Sequence, residues 1–308
     1  MLSLVGNTPL IRVEEDITYF AKLEGANPFG SMKDRAAAFV IGTLYDEGLI
    51  GPNSEIVESS SGNFGIALAA VCRIFGLNFT CVIDPMIAPA NKRLLEIYGA
   101  KMIRADQCDE NGSYLSNRLS IIREMLSCRN NIYWINQYNN PLMIKAYETT
   151  LAEELLTSVG KIDYIFVPVS TCGCIAGISI RLKAVIPKIK VIAVDIQGSR
   201  IFEDSDIIRH IPGIGASIQP GNLQHALIDQ IVVVSESDCI NECHKLVERG
   251  LLVGASSGAA VAAIRKLKHR DNISGSIVAI FPDRGDRYAD TIYNDCWLRE
   301  NKIEVYTG

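Results

Sequence analysis

Lys33 stands where an extended turn gives way to a helix, the place in this chain best suited to an amine that does chemistry. Asn27-Pro28-Phe29-Gly30-Ser31 interrupts any preceding element, and Ser31 is a natural N-cap. The alanine-rich run from Lys33 to Tyr45 reads as a helix, closed by Gly48. An ammonium in the first helical turn faces the positive end of the helix dipole and is disfavoured. A less basic, partly buried amine forms Schiff bases readily. For an isolated lysine, a solvated side chain that happens to follow a cap is the competing reading.

Further turns of the same kind follow. Ser59-Ser60-Ser61-Gly62-Asn63-Phe64-Gly65 joins a strand to a helix start, and its hydroxyls and free N–H groups suit a carboxylate. Alone, it is equally a capping turn with extra serines. Val169-Ser170-Thr171-Cys172-Gly173-Cys174 follows the most apolar strand and offers hydroxyls and N–H groups to a phosphate. It is neither a Walker loop nor a GxGxxG turn, so nucleotide binding has little support. Gly254-Ala255-Ser256-Ser257-Gly258-Ala259 opens a third helix, and a serine there can hydrogen-bond a ring nitrogen without adding charge; an ordinary cap is the other reading.

These turns need a scaffold. The chain has 308 residues, 48% hydrophobic and 21% charged, enough for two domains with a substantial core. Its net charge of −5, without a basic run or interleaved aromatics, argues against nucleic acid as a partner. No apolar stretch reaches the roughly 18 residues of a membrane span. The start, Met1-Leu2-Ser3-Leu4-Val5-Gly6, lacks the basic and apolar regions of a signal peptide, so a cytoplasmic location is expected. Nine cysteines without framework spacing read as reduced thiols. Cys172-x-Cys174 and Cys239-x3-Cys243-His244 lack a second pair at zinc-like spacing, so no metal is expected.

Strand and helix alternate almost throughout. Strands are expected at 54–58, 78–83, 101–104, 133–136, 164–169, 190–194, 230–234 and 276–281. Helices are expected at 62–75, 90–98, 113–128, 141–156, 175–185, 237–250 and 257–268, and 301–308 reads as a terminal extension. Such alternation implies an α/β fold with mostly parallel, helix-covered sheets and a ligand at the carboxyl ends of the strands.

In order along the chain, Gly6-Asn7-Thr8-Pro9-Leu10, Asn27 to Arg35, Ser61-Gly62-Asn63, Asn136-Gln137-Tyr138, Ser170 to Cys174, Gly213-Ile214-Gly215-Ala216 and Gly254 to Gly258 resemble the cysteine synthase family of pyridoxal-phosphate enzymes, with the tryptophan-synthase-β fold. The resemblance implies fold type II: two domains, each a mostly parallel twisted sheet flanked by helices, with the cofactor in the cleft between them. Residues 32–139, with 1–9, would form the smaller N-terminal domain; residues 140–308, with 10–31, the larger C-terminal one. It implies that Lys33 holds pyridoxal phosphate in a Schiff base and later acts as acid and base. Asn63 would contact the cofactor's 3′-oxygen, Ser170, Thr171, Cys172, Gly173 and Cys174 its phosphate, and Ser256 its ring nitrogen. Ser60, Ser61, Asn63 and Gln137 would hold the substrate α-carboxylate. A homodimer acting on small amino acids is implied as well.

Relatives often carry Gly at 172 and Thr at 174, where this chain has cysteine, so the phosphate must lean on backbone N–H groups, Ser170 and Thr171. Two other segments differ from cysteine synthases. Ser59-Ser60-Ser61-Gly62-Asn63-Phe64 replaces Pro-Thr-Ser-Gly-Asn-Thr, and Phe281-Pro282-Asp283-Arg284-Gly285-Asp286-Arg287-Tyr288 replaces a Ser-Ser-Gly-Glu-Arg-Tyr-like segment. Both look like the siderophore-pathway branch, the N-(2-amino-2-carboxyethyl)-L-glutamate synthases. That branch joins O-phospho-L-serine to L-glutamate through an α-aminoacrylate, towards 2,3-diaminopropionate. Glutamate brings two carboxylates, and Arg209, Arg284 and Arg287 are candidate receptors, each equally a surface salt bridge. The alternative is cysteine synthase itself, using sulfide. A serine or threonine dehydratase, an idle scaffold relative and a nicotinamide dehydrogenase are the weaker readings.

Overall fold

The computed structural model describes residues 2–14, 16–109 and 112–305. Its elements run β1 Leu10–Val13, β2 Tyr19–Leu23, α1 Lys33–Asp46, β3 Glu55–Ser59, α2 Asn63–Phe75, β4 Asn78–Ile83, α3 Pro89–Ile97, β5 Lys101–Arg104, α4 Leu115–Cys128 and β6 Ile132–Trp134. Then follow α5 Pro141–Thr149, α6 Leu151–Ser158, β7 Tyr164–Pro168, α7 Gly173–Val185, β8 Lys190–Ile196, β9 Gln230–Val234, α8 Glu236–Glu248, α9 Ala255–Asp271, β10 Ile277–Phe281 and α10 Asp295–Glu300. A four-stranded sheet has the order β5-β4-β3-β6, and a six-stranded sheet the order β1-β2-β10-β7-β8-β9. Every strand pair is parallel except β1 with β2. β3, β7, β8 and β10 are buried along nearly their whole length, as near-continuous apolar runs require when helices cover both faces. The fold is the expected α/β arrangement, and the turns that leave β3, β7 and β10 all open at strand carboxyl ends.

The alternation reading misses the β1–β2 hairpin. Its strands are short, and Lys22, fully buried, breaks their apolar run. Lys22 is buried because it belongs to a closed charge network. Its Nζ donates to Glu154 Oε2 and to the Thr8 carbonyl, both at 2.7 Å. Arg35 donates to Glu24 Oε2 at 2.6 Å and Oε1 at 2.8 Å, and to both oxygens of Glu154. Asn7 N donates to Glu154 Oε1 at 2.9 Å, and Thr8 Oγ1 to Glu24 Oε1 at 2.6 Å. The network ties the N-terminal segment, β2 and α6 to the first turn of α1, two residues from Lys33.

The single helix expected over 141–156 breaks at Thr150, whose φ of −120° and ψ of −78° are non-helical. Thr149 and Thr150 each turn a hydroxyl back to a carbonyl four residues earlier, at 2.8 and 2.6 Å, which weakens the helical ladder there. Within the expected terminal extension, Ile303 and Val305 pack on the core around α8 and α9; residues 306–308 lie outside the described residues. No helix among the described residues is long and apolar enough to cross a membrane.

Candidate active site

After β2 the chain makes a short 3₁₀ turn, then Gly30 adopts φ +89° and α1 begins at Lys33. Met32 rather than Ser31 precedes the helix, yet Ser31 Oγ still accepts from Lys33 N at 3.2 Å, and Asp34 Oδ2 accepts from Phe29 N at 2.6 Å. Met32 N donates to the Pro282 carbonyl at 2.8 Å, fastening the lysine turn to the end of β10. Lys33 lines a cavity with Asn63, Val169, Ser170, Thr171, Cys172, Cys174, Gly213, Ser256 and Asp283. Its Nζ reaches Thr171 Oγ1 at 3.4 Å. Burial pushes the ammonium below its ordinary range, with Cys174, Cys172 and Asp283 pulling the other way. Burial also pushes Cys172 up to about 12 and Cys174 higher still, so both are neutral thiols at physiological pH and oppose little. Loss of solvent is the largest cause that lowers the basicity of Lys33.

The turn after β7 bends through Cys172, which holds φ +60° immediately before α7. That left-handed conformation favours glycine, the residue its relatives often carry here. The first N–H groups of α7 have no partner within the helix and point out of its start, beside the Thr171 hydroxyl. Gly173 closes the turn: a Cβ there would lie 3.2 Å from Met143 Cβ. Asn222, which nothing in the sequence singled out, braces the turn. Its Nδ2 donates to Thr171 O at 3.0 Å and Gln137 O at 2.8 Å.

Asn63 begins α2 with its amide clamped. Nδ2 donates to Asp283 Oδ2 at 2.6 Å, while Oδ1 accepts from Arg287, which also donates to the Phe29 carbonyl. Tyr288 OH donates to the same Asp283 oxygen at 2.5 Å. The other oxygen, Asp283 Oδ1, is buried with no partner among the described residues. Burial pushes the Asp283 carboxyl up, against hydrogen bonds from Tyr288 and Asn63.

The expected carboxylate residues divide. Asn63 faces the cavity, whereas Ser60, Ser61 and Gln137 are not among its lining residues. Ser60 Oγ instead caps Gly65 N at 3.0 Å, Ser61 Oγ accepts from Arg118 at 3.4 Å, and Gln137 Nε2 donates to Ser59 O at 3.0 Å. Glu58 braces the backbone beside them, accepting from Ser59 N at 2.7 Å and Gln137 N at 3.0 Å. Of the three arginines, Arg284 pairs with exposed Asp286, Arg287 turns inward to Asn63, and Arg209 has no ion pair among the described residues.

A desolvated amine, a nest of N–H groups with a hydroxyl, a serine hydroxyl, an asparagine N–H and an orphaned carboxylate oxygen converge on one cavity. This set fits pyridoxal phosphate: an amine for its aldehyde, a cradle for its phosphate, neutral donors for its ring. The family described as pyridoxal-phosphate dependent enzyme matches residues 1–283. The structure is similar to an O-acetylserine dependent cystathionine beta-synthase from Helicobacter pylori, with 30% identity, TM-score 0.87, and 95% of this chain and 98% of that one covered. It is also similar to a hydrogen sulfide-producing enzyme from Fusobacterium nucleatum, with 30% identity, TM-score 0.85 and coverage of 93% and 96%. A third similar structure is an O-ureido-L-serine synthase, with 27% identity, TM-score 0.85 and coverage of 97% and 98%. The cavity and these likenesses agree, and the chain belongs to the pyridoxal-phosphate dependent enzymes, with the fold type II architecture of the cysteine synthase-like β-replacement enzymes.

Proposed function

We propose that this enzyme condenses O-phospho-L-serine with L-glutamate, giving N-(2-amino-2-carboxyethyl)-L-glutamate and phosphate for 2,3-diaminopropionate and siderophore biosynthesis. The observation that carries this reading is the position of the 281–288 segment, where the sequence departs from cysteine synthases. Pro282 and Asp283 line the Lys33 cavity, and Arg287 and Asp283 grip Asn63. A departure in the cavity wall bears on substrate choice in a way that a surface departure does not.

Bound pyridoxal phosphate supplies an electrophilic aldehyde and an electron-withdrawing ring that make the substrate α-proton acidic and its β-substituent a leaving group. Lys33, its pKa lowered by burial, is suited to take that proton at Nζ and return it later. Ser170, Thr171 and the start of α7 hold the cofactor's phosphate, and Ser256 offers its hydroxyl to the ring nitrogen. The Ser60–Asn63 loop and Gln137, backed by Glu58, take the α-carboxylate once the loop closes on it. In balance, the β-carbon–oxygen bond breaks to release phosphate and a bond from glutamate nitrogen to that carbon forms. The glutamate ammonium must shed one proton before its nitrogen attacks, and the released phosphate takes one up, so protons balance as well. The division into residues 32–139 with 1–9 and 140–308 with 10–31 draws support from β3–β6 all falling in the first set. A cytoplasmic homodimer is part of the same reading.

The competing reading is cysteine synthesis with sulfide, favoured by the sulfur chemistry in the names of two similar structures. Mass analysis of the product from O-phosphoserine, with glutamate and sulfide offered separately, decides between them. Efficient cysteine formation with glutamate inert overturns the proposal.

A further inference from the structure

Arg209 is the one arginine of the three candidates with no hydrogen bond or ion pair among the described residues. Its Nη1 is buried and lacks a hydrogen-bond partner among the described residues. The other arginines near the cavity are engaged: Arg118 with Asp84 at 3.0 Å, Arg284 with Asp286 at 3.2 Å, and Arg287 with Asn63 and Phe29. A buried guanidinium N–H with no acceptor is costly, so its retention needs a reason.

Its surroundings supply one. Arg209 lies against the Gly213–Ala216 loop, where a Cβ on Gly215 would come within 2.1 Å of Nη1. Gly215 N donates to the Val169 carbonyl at 2.8 Å, and Val169 and Gly213 both line the Lys33 cavity. Tyr138, which follows Gln137, feels the charges of both Arg118 and Arg209. Asp195 and Glu236 also face Arg209 without pairing to it. Glu236 is already taken by His210 Nδ1 at 3.0 Å and Ile211 N at 2.8 Å, and Asp195 by Ile196 N at 2.9 Å.

We infer that Arg209 is a specificity-determining residue whose guanidinium receives a carboxylate of the second amino-acid substrate. This deepens the proposed glutamate reaction and rests on it. A planar guanidinium presents a two-pronged donor set that matches a carboxylate, and sulfide has nothing for it to bind. The other anionic oxygens available are those of the O-phosphoserine phosphate, and the measurements separate the two sources.

The test uses cofactor-loaded wild type, Arg209→Lys and Arg209→Met, with cofactor absorbance and circular dichroism confirming that each is folded. Arg209→Met is expected to raise KM for glutamate about 10- to 100-fold with kcat little changed, the loss of one charge-assisted interaction. Arg209→Lys, which keeps charge but loses the fork, is expected to fall between. The absorbance change on adding O-phosphoserine alone should stay at its wild-type concentration dependence. An unchanged KM for glutamate in Arg209→Met overturns the inference, as does an equal rise in the O-phosphoserine requirement. If wild type rejects glutamate altogether, the proposed function fails first. Calorimetric binding of glutarate, present in wild type and lost in Arg209→Met, then upholds the carboxylate receptor, and no binding to wild type refutes it.

Discussion

Arg35→Met should unfold this protein more readily than any exposed substitution, because it opens the charge network under α1. Arg35 and Glu24 side chains are fully buried and Glu154 is 16% exposed, so water replaces little of what is lost. The four charges, Arg35 and Lys22 against Glu24 and Glu154, balance; without Arg35 a net negative charge stays buried. Removing one partner of a buried pair costs about 3–5 kcal/mol. With an unfolding entropy of about 2.1 cal/mol/K per residue, 4 kcal/mol over a chain of this length lowers Tm by roughly 6 °C. A second measure comes from Glu154. Burial pushes its carboxyl up, but hydrogen bonds from Arg35 and Lys22 outweigh that and hold it at about 2, below the ordinary 4.5. A depressed carboxyl stabilises the fold above its unfolded pKa, and that stability is lost as pH falls from 4.5 towards 2. The shift corresponds to ~3 kcal/mol, of the same order as the mutational cost. Urea melts at pH 7 and pH 3 form the assay. Wild type should lose stability between them, and Arg35→Met should start lower and lose less. Arg35→Met/Glu24→Met, which leaves no unpaired charge at Glu24, should recover part of the loss. A cost under about 1 kcal/mol at pH 7, or an unchanged acid loss in Arg35→Met, would refute the assignment of stability to this network.

Other outcomes follow from the site and the packing around it. Lys33→Ala should lower turnover by at least about 10²–10⁴-fold, and borohydride should fix pyridoxyl label at position 33 of wild type but not of the variant; label elsewhere sinks the assignment. Burial pushes Glu58 up to about 7 in spite of the N–H groups of Ser59 and Gln137. The folded state therefore keeps a proton the unfolded chain has released, and stability should fall as pH rises from 4.5 to 7. Glu58→Gln should remove about 1.4 kcal/mol per pH unit of that slope in melts across this window. Gly177→Ala should destabilise by about 1–3 kcal/mol, since a Cβ in α7 would lie 2.3 Å from the Ile144 carbonyl of α5; a neutral melt would show that the two helices move apart freely.

The turns around the cavity were legible because each is local. Glycine and serine between an apolar strand and an alanine-rich helix specify a strand-to-helix turn within a few residues. The left-handed φ of +60° at Cys172 was not legible, since only the weak donor strength of its thiol follows from the residue type. What stayed hidden depends on contacts distant in sequence. Asp283 and Arg287 meet Asn63 across 220 and 224 residues, and Asn222 meets Gln137 across 85. Nothing in their neighbours announces such a role. The β1–β2 hairpin escaped for a related reason, since buried Lys22 reads as exposed until Glu154 is placed beside it. Ser60, Ser61 and Gln137 are implied as a group by the resemblance, but that Glu58 joins Ser59 N to Gln137 N across 79 residues depends on a contact distant in sequence.

The buried charges fall into two kinds, and the contrast bears on function. Around Arg35, each carboxylate oxygen of Glu24 and Glu154 accepts at least one donor, which is what a scaffold requires. Near the cavity the opposite holds. Among the described residues, Asp283 Oδ1, Arg209 Nη1, Ser257 Oγ, Ser59 Oγ and Arg118 Nε are buried without hydrogen-bond partners, as is Oδ1 of Asn91, whose Nδ2 donates to the Ser61 carbonyl at 3.1 Å. Each such atom costs stability that the Arg35 network shows this chain able to avoid. Orphans scattered through the core would read as imperfect packing. Two of them adjoin the Lys33 cavity: Asp283 belongs to its lining, and Arg209 lies against the loop of Gly213, near a desolvated lysine that reaches Thr171 at 3.4 Å. Polar groups left open together are the counterpart of a ligand that closes them together.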